Sequence, residues 1–298
     1  MKEKETKTTG FREAPVRVSE WQRFRRVFFQ RKVVLFGLII LTLLVITAIF
    51  APLLAPYDPF LISMAESLQQ PSGKHLLGTD LQGRDTLSRL IYGSRMALMV
   101  GFGSVLLAGI VGVTLGLVAG YFGGITNMVI MRIMDALMGF PMILLAIVIA
   151  SVLGSGVHNV IIALSVATLP GYARVMHGLA LSLRENDYIM AEHAMGAGNI
   201  RTMFWHLLPN GLPPMIVLIT LQLGALILAE AGLSFLGVGI DPPTAAWGAM
   251  VADGRRYLLT HPWLSFAPGI VIMLVVFAFN LVGDGLRDAL DPRLRGLL

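Results

Sequence analysis

Three long stretches of the chain carry no charged residue: between Lys32 and Asp58, from Ala136 to Ala173, and from Tyr257 to Gly283. Runs of roughly 20 uncharged apolar residues match the ~30 Å hydrocarbon core of a bilayer. The rest of the composition agrees. Only 14% of the 298 residues are charged and 55% are hydrophobic, whereas a soluble domain carries about a quarter charged residues. The fold class that follows is an all-α polytopic membrane protein.

Six transmembrane helices can be drawn. The first is Val33 to Ala55, ended by Pro52, Pro56 and Pro59. The others are placed at about Met96–Ala119, Ile130–Leu153, Val160–Gly178, Pro214–Val238 and Pro262–Val282, with "GSGVHN" (Gly154 to Asn159) dividing the third from the fourth. The first run is too long for the apolar region of a signal peptide and has no small-x-small cleavage pattern, so it reads as a retained span. The domain layout is a basic tail (1–32), the first transmembrane helix (33–55), an external loop (56–95), a membrane core (96–287) and a short tail (288–298).

The net charge of +5 is concentrated before the first span, where ten Lys and Arg face four Glu. The positive-inside rule accounts for this and places the tail in the cytoplasm. An even number of spans then puts both termini there, with Tyr172 to Gly211 on the same face. No compact basic domain is present to hold a groove, so nucleic acid is not a partner. With no Cys there is no disulfide, thiol nucleophile or thiolate metal site.

Gly112, Gly116 and Gly120 recur every four residues in the second span, a spacing that lets another backbone approach along one helical stripe. The polar gap "AMGAGNIRTMFWHLLPN" (Ala194 to Asn210) has a different character. Asn186 or Asp187 can cap a helix over Tyr188–Met195, and Gly196 suits the left-handed turn that ends it. Asn199 can cap a second helix with Ile200, Met203, Phe204, Leu207 and Leu208 on one apolar face, closed by Pro209. An interfacial helix resting on membrane lipid would look the same from these residues alone.

The stretch Met190–Pro209 resembles the "EAA" loop of ABC importer permeases: Glu-Ala-Ala, three residues, Gly, nine residues, Ile, one residue, Leu-Pro. Ala191, Gly196, Leu208 and Pro209 match it; Met190 replaces the Glu, Glu192 the second Ala, and His206 the Ile. "HLLGTDLQGRDTLSRLIYGSR" (His75 to Arg95), "LSFLGVGIDPPTAAWGAM" (Leu233 to Met250) and "FNLVGDGLRDALDPRLRG" (Phe279 to Gly296) are similar to the dipeptide, oligopeptide and nickel branch, in its C-type subunit.

The resemblance implies a type I ABC importer permease fold. The loop at about 186–211 would be the coupling helix, seated on an ATP-hydrolysing subunit through Tyr188, Ile189, Met190, Ala191, Glu192, Ala194, Gly196, Ala197 and Asn199, with Leu208 and Pro209 as its end. It also implies a second homologous permease, two ATP-binding subunits and an external solute-binding protein, in a bacterial cytoplasmic membrane. The solute would be a peptide or a related small molecule, with nickel or glutathione as the alternative.

ATP hydrolysis is not expected in this chain. Its one Gly-Lys, Gly73-Lys74, is followed by His75 and has Leu68 where a Walker A loop needs glycine. ATP and magnesium belong to the partners, and no cofactor is expected here. Asp80 and Asp85 with His75 lack metal-ligand spacing. The expectation is instead that Asp80 caps a helix over Leu81–Tyr92, with pairs Arg84–Ser88 and Asp85–Arg89 supporting it, and that Arg287 pairs with Asp291 in the tail. Glu230 is the one acidic residue well inside a span, so it either lines the translocation path or hydrogen-bonds internally.

Two other classes fit part of the sequence. A stand-alone secondary carrier builds its site from broken helices and several ionisable groups, and only Glu230 is deeply placed here. A membrane-anchored assembly protein would explain the glycine stripe but not the Leu-Pro-terminated loop.

Overall fold

The computed structural model describes residues 20–290. Among them every regular element is helical: α1 (Glu20–Gln30), α2 (Lys32–Ile49), a single turn α3 (Ala51–Leu54), α4 (Thr86–Phe122), α5 (Gly124–Met138), α6 (Met142–Leu153), α7 (Val157–Arg184), α8 (Asp187–Ala194), α9 (Asn199–Arg201), α10 (Leu208–Phe235), α11 (Trp247–Gly254) and α12 (Trp263–Leu290). Five continuous helices are long and apolar enough to cross a membrane. A sixth crossing is made only if α5 and α6 are taken together, and those two are bent by 92°. The third span is therefore not the straight helix expected over Ile130–Leu153. Gly139-Phe140-Pro141 breaks it, because Pro141 has no N–H to donate and holds an extended ψ of 130° at the start of α6.

Part of the basic tail before the first span is helical. In α1, Phe24, Val27 and Phe28 recur at i, i+3 and i+4 and pack against Val34, Val282, Leu286 and Ala289, while Arg25, Arg26 and Phe29 are exposed. Arg31, at the break between α1 and α2, pairs with Asp288 of α12. The Arg287–Asp291 pair involves Asp291, which lies outside the described residues, as does the tail before Glu20.

The bundle is built on α4 and α7, the most extensively packed helix pair, with α10, α12 and α2 laid against them. Its core falls into two main clusters. One, around Val100, Leu164, Leu226, Ile227 and Trp247, lies toward the start of α4. The other, around Leu117, Tyr172, Met176, Met203, Leu207 and Met215, lies toward its end. Large apolar side chains such as Phe36, Ile39, Leu43, Ile110 and Phe277 are exposed on the outside, which is the surface a lipid phase or another apolar chain would cover.

The glycine stripe is spent inside the subunit. A Cβ at Gly112 would lie 2.7 Å from the Leu169 carbonyl and 2.8 Å from Tyr172 Cβ, and one at Gly120 would lie 2.7 Å from Ala180 Cβ. Gly116 meets the Ala173 backbone in the same way. Small residues thus seat α4 on α7 with backbones in close approach.

Between α3 and α4 the chain folds into a polar cap rather than an open loop. The expected helix start at Asp80 is corrected. Asp85 is the N-cap of α4, its Oδ2 accepting from the Ser88 N–H at 2.8 Å and from the Ser88 hydroxyl at 2.7 Å. Asp80 closes the turn before it, accepting from the N–H groups of Gln82 and Arg84 and from Arg84 Nε at 2.6 Å. Hence neither Arg84–Ser88 nor Asp85–Arg89 is the working pair. Asp85 also meets buried His75 at 2.9 Å, and Arg89 donates to the carbonyls of Pro59 and Pro243. The cap reaches the other end loops through Trp247 Nε1, which donates to the Leu90 carbonyl at 2.9 Å, and through His261, 2.8 Å from the Leu68 carbonyl.

Candidate functional site

The loop opposite the cap begins where α7 ends at Arg184, whose guanidinium donates to the carbonyls of Gly120 and Tyr121 and so ties off the C-terminus of α4. Asn186 then starts α8, though neither it nor Asp187 makes a side-chain cap hydrogen bond. On this two-turn helix Ile189 and Glu192, three apart, face the bundle and are buried, while Tyr188, Met190, Ala191 and Ala194 are exposed. The helix ends at Gly196 with φ +85°, a conformation in which a side chain is strained even though the surrounding space is open. Ala197 is half-buried and its N–H returns to the Glu192 carbonyl.

The second half of the loop departs from expectation in two ways. Gly198, not Asn199, is the N-cap of α9. Asn199 instead accepts from the Tyr121 hydroxyl at 2.9 Å, and His193 lies 3.3 Å from the same oxygen. The Tyr121 side chain at the end of α4 therefore bolts both halves of the loop to the bundle.

The second departure is that Pro209 ends nothing. Asn199 to Phe235 is one continuous helix, with a π segment over Thr202–Leu207 in which the Leu208 N–H reaches back to Met203. A wide turn relaxes the clash that a proline makes with the preceding turn, and the Asn210 amide donates to the His206 carbonyl at 2.7 Å. Pro213 and Pro214 also lie within the helix. Of the expected apolar face, Met203 and Leu207 are buried, but Ile200 and Phe204 are exposed.

The outcome is a knuckle, tied to α4 through Tyr121, that exposes the apolar side chains of Tyr188, Met190, Met195, Ile200 and Trp205. Sequence reasoning missed Tyr121, Arg184 and His206 as its supports. The only signal for Tyr121 was its place after the last glycine of the stripe.

Glu230 lies elsewhere, in the last two turns of α10. It is buried within the subunit and accepts from the Ser234 hydroxyl at 2.7 Å; that hydroxyl in turn accepts from the Ile240 N–H. Among the described residues no cluster of three or more His, Asp or Glu is arranged as a metal site.

Residues 112–296 match the family model of the binding-protein-dependent transport system inner membrane component, and residues 19–72 match the N-terminal transmembrane domain of oligopeptide transport permease C. The chain belongs to this permease family, as a C-type subunit. Among curated relatives, the permease is 45% identical over 278 residues to a dipeptide transport system permease protein of Alkalihalophilus pseudofirmus, covering 93% of this chain and 91% of that one. It is 43% identical to a di/tripeptide transport permease of Pseudomonas aeruginosa, with 93% of each chain covered. It is 41% identical to a glutathione transport permease of Pectobacterium atrosepticum, with 92% of each covered. A chain of the inward-facing MetNI methionine ABC transporter shares its fold, with a TM-score of 0.53 at 21% identity, covering 67% of this permease and 96% of that chain.

Proposed function

We propose that this permease forms one half of the membrane channel of a peptide importer and that α8 is its coupling helix. The observation that carries the reading is the knuckle: a short helix with an exposed apolar face, held to α4 through Tyr121 and joined by short turns to α7 and to the helix that runs on into α10. A separate ATPase subunit gripping that face would move α7 and α10 directly, which supplies a two-state element for coupling. ATP and magnesium are consumed on two such subunits. A second, homologous permease completes the channel, both termini face the cytoplasm, and the polar cap meets a solute-binding protein outside. Peptides are the favoured solute because relatives named for dipeptide and di/tripeptide transport match nearly the whole chain; glutathione is the alternative.

Gly196→Asp tests the coupling role. It sets a charged side chain at positive φ in the turn beside the exposed face. The variant should insert normally yet lose ATP-driven uptake of a labelled dipeptide in vesicles containing the full transporter. Uptake at the normal rate would refute the assignment. Measuring which solutes the partner binding protein retains tests the choice of peptide.

A further inference from the structure

Glu192 is a buried carboxylate, 8% exposed, in the middle of a two-turn helix. A carboxylate in that position is expensive unless a cation or donors meet it. No hydroxyl or backbone N–H among the described residues donates to either of its oxygens. What faces it is basic: His206 Nε2 lies 2.8 Å from Oε1 and Arg201 Nε lies 3.8 Å away. The His206 contact is a close approach of ring nitrogen to carboxylate rather than an aligned hydrogen bond. His206 belongs to the π segment at the base of α10. One extra residue in a turn rotates the preceding helix face by roughly 100°, and Arg201 and His206 both lie on the α8 side of that turn. Positions 192 and 206 are also two of the three, with 190, at which the loop departs from the permease pattern. Glu192 and His206 touch each other.

We propose that Glu192 and His206 are a positioning pair that clamps α8 to the π segment, so that displacement of α8 is delivered to α10 instead of being lost as rotation of α8 about its own axis. Tyr121 holds both halves of the loop to α4 and Ile189 buries the adjoining turn; the pair adds a direct side-chain link from α8 to the helix that runs on into α10. That the delivered motion drives transport rests on the coupling role proposed above. The clamp itself does not.

The test separates the two. The chain has no cysteine, so Met195→Cys at the exposed tip of the loop accepts a single spin label in the purified permease, with no ATPase present. Glu192→Ala and His206→Ala should each raise the label's mobility severalfold. The double variant Glu192→Ala/His206→Ile, which exchanges the polar pair for an apolar one, should restore it. Glu192→Gln keeps the volume and one acceptor and reads out an intermediate mobility if the alanine variant fails to insert.

In the full transporter, dipeptide taken up per ATP hydrolysed should fall about tenfold in each single variant and recover in the double. Unchanged mobility in the single variants, or a double variant as mobile as they are, overturns the clamp. A freed label with uptake per ATP unchanged leaves the clamp standing and overturns the coupling role.

Discussion

Gly116 sits where α4 crosses the Ala173 backbone of α7. A Cβ placed there would lie 2.9 Å from the Ala173 carbonyl carbon and 3.0 Å from its Cα, with the carbonyl oxygen closer still. Ordinary carbon contacts start at ~3.5 Å, and the closer carbonyl oxygen sets the requirement, so Gly116→Ala requires α4 and α7 to part by roughly 1 Å. A gap of that size forfeits roughly a quarter to a half of each contact well it opens. The neighbouring contacts at Gly112 and Gly120 are equally tight, so three turns share the loss. Overpacking of this kind costs about 1–3 kcal/mol. The gain from replacing glycine by alanine in a helix, about 1 kcal/mol, offsets part of it.

Gly109 supplies the control. It is on the same helix and also buried, but a Cβ there meets only Ile219 Cδ1, at 3.9 Å. Gly109→Ala keeps the helix-propensity gain without the clash. The propensity gain is common to both, so the two variants should differ by the overpacking cost alone, about 1–3 kcal/mol, with Gly109→Ala the more stable. Thermal unfolding in detergent, followed by the fraction remaining monodisperse, would show Gly116→Ala melting several degrees lower and Gly109→Ala at or above the reference. If the two melted together, the stripe would not be a close-packed seam and the reasoning would fail.

Asp85→Ala removes the N-cap of α4 and the partner of His75 together. A loss of about 1–2 kcal/mol is expected, read as earlier protease cleavage in the cap with transmembrane packing retained. Glu230→Gln leaves an acceptor for the Ser234 hydroxyl and should keep uptake near normal. Ser234→Ala strips that bond and the acceptor of the Ile240 N–H and should lower thermal stability; loss of uptake in Glu230→Gln would instead place the carboxylate on the solute path.

In the cap, a hydrogen bond from Lys74 holds the Glu66 carboxyl below its usual value. A lowered folded-state value contributes stability above the ordinary carboxylate range and loses it as pH falls through the lowered value. Cap proteolysis should therefore quicken in acid, and Lys74→Ala should flatten that dependence.

The bilayer-length uncharged runs determined that the chain is a helical membrane protein, because nothing but hydrocarbon tolerates such stretches at this frequency. Spacing alone also picked out the glycine stripe and the Gly196 turn, since a four-residue repeat and a positive φ are local requirements. The long-range contacts were not legible. The three-residue pattern of Phe24, Val27 and Phe28 was hidden among arginines, and its partner surface lies some 260 residues away on α12. Asp80 read as the cap and Asp85 as a residue within the helix, and only the fold of residues 55–85 assigns the helix start to Asp85. Pro209 is a helix stop by local rule, yet the π segment before it carries the helix through. Glu192 read as a blemish in a motif until folding set His206 beside it. Local propensity and hydropathy act over a turn or a span and are written in the chain; which polar groups meet depends on helix packing, and that the tertiary structure alone decided.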